Sequence, residues 1–212
     1  MILITLCALS VLACVVCDEL PKVSLNPQKL VQKSGQETSF SCVLRRGSLP
    51  VRFEWLYNDR SMEPSSKIQI ESTTKSSTLI LESLTILNAG NYTCRASNSF
   101  GFDQSTSNLI VEGPPQWQSK PVDLRIGPKE RFNIKCSGIG HPVPSVSWRK
   151  QIGSEWRDLL ESSNVFTKIS SAEITGNQLI KEKDEGKYGC EVSNGIKPSL
   201  WTEFMIQVSG KL

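Results

Sequence analysis

The sequence is poor in the residues that carry most enzyme and metal chemistry. Its 212 residues contain one histidine, His141, which excludes a multi-histidine metal site, and no metal is expected. His141 lies in GIGHPVPSVSW, a proline-rich turn leading into a strand, and is read as a loop residue. The Gly-x-Ser-x-Gly elbow, the phosphate-binding glycine loop and the dinucleotide fingerprint are all missing. Glu54, Asp59 and Glu63 lie on or just after one strand and are read as a solvated face, not an acid and base pair. The chain is therefore not expected to be an enzyme, and no cofactor is expected. No basic run is interleaved with aromatics and the formal charge is only +3, so nucleic acid is not an expected partner. No stretch keeps a helical period beyond a turn or so, and beyond the N-terminus no apolar run reaches the length of a membrane span.

What is present begins with the leader. The first 17 residues, MILITLCALSVLACVVC, carry no charge, and Asp18-Glu19 comes directly after them. Such a run is short for a membrane crossing and is expected to be a secretory signal peptide, residues 1–17, cleaved after Cys17. Three of the seven cysteines fall inside it. The other four, Cys42, Cys94, Cys136 and Cys190, form an even set in a chain expected to be secreted, which predicts disulfides. Four cysteines allow three pairings, and the count does not choose among them.

A repeated phrase does choose. NAGNYTCRASNS at 88–99 and DEGKYGCEVSNG at 184–195 share Gly, Tyr, Cys, Ser and Asn at matching places, with their cysteines 96 residues apart. Cys42 to Cys94 spans 52 positions and Cys136 to Cys190 spans 54. Trp55 lies 13 residues after Cys42, and Trp148 lies 12 after Cys136; Tyr92 and Tyr188 each stand two before the second cysteine. The repeat divides the chain into units at 18–112 and 113–210 and assigns one bridge to each, Cys42–Cys94 and Cys136–Cys190. Closing loops of that length is worth roughly 4 kcal/mol per bridge in the chain-entropy treatment. Period-two alternation in SFSC (39–42), FNIKC (132–136), 51–57, 78–81 and 204–208, bounded by Gly, Pro, Asn and Ser, predicts many short strands and hence a sandwich or barrel. Leu79, Leu81 and Leu84 are the expected inward leucines of the first unit. The equivalent positions of the second are Thr175, Asn177 and Ile180, so a bulge or register shift turning Ile174 or Leu179 inward is expected. The join at 111–117, with Pro114-Pro115, is short and stiff, and Trp117 is expected to pack near it.

Cys, then Trp, then Asp-x-Gly-x-Tyr-x-Cys resembles the immunoglobulin domain of the intermediate set. The resemblance implies an all-β fold of two tandem immunoglobulin-like β-sandwich domains after a cleaved signal peptide. In it the cysteines bridge facing sheets, Trp55 and Trp148 pack on the bridges, and the hydroxyls of Tyr92 and Tyr188 tie the preceding turns. Asp184 matches the family's acidic position, which Asn88 replaces in the first unit. GSLPVRFEWLYND at 47–59, the PPQW joint and DEGKYGCEVSNGI further resemble the Down syndrome cell adhesion molecule (Dscam) family of arthropods. A leader directly before two such units is similar to its shortened chelicerate members, whose first domains vary between isoforms. This resemblance implies homophilic recognition between cell surfaces with specificity in the first domain, and an extracellular place, either as an N-terminal ectodomain or as a secreted product. The alternative is a soluble immunoglobulin-type immune-recognition protein that captures a foreign or heterologous ligand.

Strand alternation then nominates a face. With Trp55 inward, Arg52, Glu54 and Leu56 point outward; with Tyr92, Cys94 and Ala96 inward, so do Arg95 and Ser97. Thr106, Asn108 and Ile110 are expected to complete this face, with Leu56 and Ile110 exposed among opposite charges. A two-fold, antiparallel dimer could set Arg52 or Arg95 of one copy against Glu54 of its mate. Ile80 is the exposed apolar candidate of the opposite sheet. The one N-glycosylation sequon, Asn91-Tyr92-Thr93, puts Asn91 at the end of the same outer face.

Overall fold

Along β3 (Thr38–Arg46), Thr38, Phe40 and Cys42 are buried while Ser39 and Ser41 are exposed, so the period-two pattern becomes one inward and one outward face. The computed structural model describes residues 19–127, 130–159, 166–170, 173–176 and 181–208. The leader at 1–17 lies outside them.

The first unit is two facing sheets. One is ordered β1 (Lys22–Asn26), β3, β7 (Ser76–Leu81), β6 (Ile68–Ser72), all antiparallel. The other is ordered β2 (Lys29–Lys33), β9 (Gly101–Glu112), β8 (Gly90–Asn98), β4 (Arg52–Tyr57), β5 (Arg60–Ser61). Only β2 runs parallel to its neighbour among these pairs. The second unit repeats the plan. Its larger sheet is β11 (Leu124–Ile126), β19 (Leu200–Val208), β18 (Gly186–Ser193), β14 (Ser145–Ile152), β15 (Glu155–Asp158). The facing layer comprises β12 (Phe132–Lys135), β17 (Glu173–Gly176) and β16 (Phe166–Ser170), with β10 (Gln116–Ser119) paired to β13 (Ser137–Ile139).

Each sandwich is closed at its centre by one disulfide between layers. Cys42 on β3 joins Cys94 on β8 across 6.3 Å between Cα atoms, and Cys136 joins Cys190 across 6.6 Å. Trp55 and Trp148 are each 1% exposed within the cluster around their bridge. Trp55 Nε1 donates to Ser77 Oγ at 2.9 Å, and Ser77 Oγ in turn lies 2.8 Å from Ser72 Oγ. Leu79, Leu81 and Leu84 are buried in the same core. In the second unit the backbone register sets Ile174 opposite Ile134, which is buried, and a register shift separates Lys168 from Ser170 where β16 meets β17. Asn177, Leu179 and Ile180 lie outside the described residues. Trp117 packs against the core of the second unit, with Lys120 Nζ 5.2 Å from its ring centroid.

The repeated phrase builds one turn twice. Tyr92 donates its hydroxyl proton to Asn88 O at 2.8 Å, and Tyr188 donates to Asp184 O. Burial holds both phenols well above the ordinary tyrosine value, so they remain protonated donors. Asn88 Oδ1 accepts the Thr85 N–H at 2.7 Å, and Asp184 Oδ2 accepts the Lys181 N–H at 2.9 Å. An amide and a carboxylate thus do one task, accepting the backbone N–H three residues upstream.

Urea unfolding with intact bridges measures both the turn and the tryptophan seat. Asp184→Asn should stay within about 0.5 kcal/mol of the parent, whereas Asp184→Ala should lose roughly 1–2 kcal/mol. Ser77→Ala should lose about 1–3 kcal/mol, because it strands the buried Trp55 N–H without an acceptor.

Candidate interaction face

The outward side of β4, β8 and β9 is a ladder of polar rungs. β8 and β9 pair Asn91 with Asn108, Thr93 with Thr106, Arg95 with Gln104 and Ser97 with Phe102. The side chains join as well: Asn108 Nδ2 donates to Asn91 Oδ1 at 2.9 Å, and the Thr93 and Thr106 hydroxyls meet at 2.8 Å. Arg95 is the hub. Its Nε and Nη2 both donate to Gln104 Oε1 at 3.2 Å, its guanidinium carbon sits 5.0 Å from the Phe102 ring centroid, and Nη1 lies 3.9 Å from Glu54 Oε2 on β4. Ser61 Oγ donates to the other Glu54 oxygen at 3.1 Å.

The structure places Arg52, Glu54, Arg95, Ser97, Thr106, Asn108 and Ile110 on this one face, Ile110 half-buried. Leu56 is a correction. It was expected exposed but is only 7% exposed, because it lies mid-sheet between Thr93 on β8 and Ser61 on β5. A second adjustment concerns charge. Glu54 and Arg95 already pair within one chain, so neither waits unpaired for a mate. Sequence reasoning missed Gln104 and Phe102, although alternation run two steps back from Thr106 reaches both. Phe102 is 60% exposed, and Leu20 and Phe100 are exposed beside it at the same end of the unit. Lys22 and Arg46 flank that end, paired with Asp103 at 3.3 Å and Glu19 at 3.2 Å. Ile80 on the opposite sheet is half-buried. Asn91 is exposed at the other end of the ladder, next to Gly90 at the cleft between the units. His141 of the second unit lines that cleft together with Asn108 and Ile110 of the first. No group of three or more potential metal ligands gathers among the described residues.

The second unit treats the equivalent surface differently. Trp156 on β15 and Trp201 on β19 meet edge to face, with centroids 4.9 Å apart. They close over Gly189 on β18, the residue before Cys190, where a Cβ would collide with the Trp201 ring. Arg149 lies 5.9 Å from the Trp201 centroid and pairs with Glu191 at 3.1 Å.

Sheet order, central bridge, buried tryptophan and corner tyrosine agree with the family comparison: the immunoglobulin I-set domain matches residues 21–111 and 115–208. The chain belongs to the immunoglobulin I-set family. It is similar to the cell adhesion molecule Dscam1 of Drosophila melanogaster, 29% identical over 179 residues, 82% of this chain and 9% of that protein. It is also similar to human DSCAM, 30% identical over 165 residues, 76% of this chain and 8% of that protein. The chain thus spans less than a tenth of these adhesion molecules. Among solved structures, the titin Ig tandem A164–A165 has the same fold, with a TM-score of 0.63, 20% identity, and coverage of 89% of this chain and 97% of that one.

The tight seat of Trp201 in this I-set chain can be measured. Gly189→Ala should cost about 1–3 kcal/mol in urea unfolding, and much of that loss should vanish in a Trp201→Ala background, where the added methyl has room.

Proposed function

We propose that this chain is a cell-surface recognition module that binds a second copy of itself through the β4–β8–β9 face of its first unit, the two copies antiparallel. The Arg95 hub is the observation that carries the reading. One guanidinium, braced by Gln104 and laid against exposed Phe102, stands beside the carboxylate of Glu54. Arginine and aromatic side chains are the usual energetic centres of protein interfaces. A two-fold axis near this hub lets Arg95 of each copy exchange Glu54 for that of its mate, while Phe102 supplies apolar contact. Similarity to adhesion molecules of the Dscam group supports an extracellular recognition role, without catalysis or cofactor. A glycan on Asn91 sits at the end of the ladder nearest the second unit and leaves the Phe102 end open.

Bead aggregation with the mature chain tethered at its C-terminus tests this, alongside sedimentation at several concentrations. Clustering is expected, and Arg95→Glu or Phe102→Ala should reduce it at least tenfold in self-affinity without changing unfolding. Absence of clustering with both bridges intact, together with a monomer that captures a heterologous ligand, overturns the reading in favour of a soluble ligand-binding immune protein.

A further inference from the structure

Four residues after its second cysteine, each unit has an asparagine, Asn98 in the first and Asn194 in the second. Both act as clasps. Asn98 Nδ2 donates to Glu19 O and to Ser48 O, each at 2.9 Å, and so holds the incoming chain against the loop before β4. Asn194 Nδ2 donates to Gly113 O at 2.9 Å and Pro142 O at 3.1 Å. In the second unit the incoming chain is the join between the units, so this clasp works on the joint itself. Gly113 is held at both of its polar groups, because its N–H donates to His141 O at 3.2 Å. It is also hemmed in by the first unit: a Cβ there would come within 2.9 Å of Ser34 Cβ and 3.2 Å of Ile86 Cγ2.

Two carbonyl oxygens converge on one Nδ2, so the site requires a donor. A carboxylate in the same place offers none and sets negative oxygens against both carbonyls. The two clasps differ at the next residue, which is Ser99 after Asn98 but Gly195 after Asn194. Asparagine before glycine is the pair most prone to cyclise. The Gly195 nitrogen attacks Asn194 Cγ, a C–N bond forms as the Cγ–Nδ2 bond breaks, ammonia leaves, and water opens the succinimide to aspartate or isoaspartate. Gly195 has φ +85° and nothing within 4 Å of where a Cβ would stand, so its turn lies in open surroundings.

We propose that Asn194 is the latch of the joint between the two units, and that deamidation at Asn194-Gly195 releases it. The closed latch opposes its own loss. Asn194 Oδ1 accepts the Ile196 N–H at 3.1 Å while Nδ2 serves two carbonyls, so the amide must first let go before the ring can close. The rate of conversion therefore reads how often the latch opens. Either product loses the donor, and isoaspartate also reroutes the backbone through the side chain. The latch works whatever the first unit binds.

Ageing the folded mature chain in mildly alkaline buffer, with peptide mass mapping at Asn98 and Asn194, tests both claims. Distances between one spin label in each unit are measured before and after. Conversion at Asn194 is expected to outrun that at Asn98 several-fold, yet to run several-fold slower than in the reduced, denatured chain. Converted protein, and separately Asn194→Asp, should show a broadened inter-unit distance distribution. An unchanged distribution in converted protein overturns the latch, as does equal conversion in folded and denatured chains. Equal rates at Asn98 and Asn194 overturn the role of Gly195.

Discussion

In each sandwich one covalent bond crosses the space between the sheets, and the rest of the unit is arranged around it. Cys42 and Cys94 hold β3 against β8, and Trp55 fills the space beside their bridge. With that centre set, alternation assigns every neighbouring side chain to the inside or the outside. Tyr92, two residues from Cys94, must then point inward, and its hydroxyl reaches back to Asn88 O and ties the turn that delivers β8. Arg95, one residue beyond Cys94, must point outward. The core and the candidate face are therefore two sides of one strand, and the register that buries one displays the other.

The outer surfaces of the two units diverge on this shared frame. In the first unit the position before the second cysteine is Thr93, whose hydroxyl joins Thr106 as one rung of a polar ladder. In the second it is Gly189, and the missing side chain lets Trp201 and Trp156 lie down over the sheet. A single residue beside the bridge thus separates a hydrogen-bonded surface from an aromatic one, over the same bridge and buried tryptophan. Such tolerance is the physical reason that sandwich domains diversify on their outer faces and end loops while their centres stay alike.

The phrase shared by the two units illustrates how far sequence reasoning reaches. Its Tyr and Cys were legible as structure because their spacing repeats. Its asparagine was not, since nothing in the spacing says that one side-chain amide spans two carbonyls from distant parts of the chain. Leu56 failed for a related reason: alternation gives direction, not coverage, and a mid-sheet residue is shielded by neighbours on both sides. Phe102 and Gln104 obey the same alternation as Thr106 and were within reach of it.

By itself the sequence determined the number of units, their all-β character and the inward set at each centre, because these rest on periodicity and on spacings that occur twice. Tertiary structure alone decided which outward residues act together: Arg95 with Gln104, Phe102 and Glu54, and Asn194 with Gly113 and Pro142. Those groupings depend on which strands become neighbours and on which loops converge at the end of a sandwich. Such closeness in space arises between residues up to 81 positions apart in the chain, a separation over which no local pattern carries information.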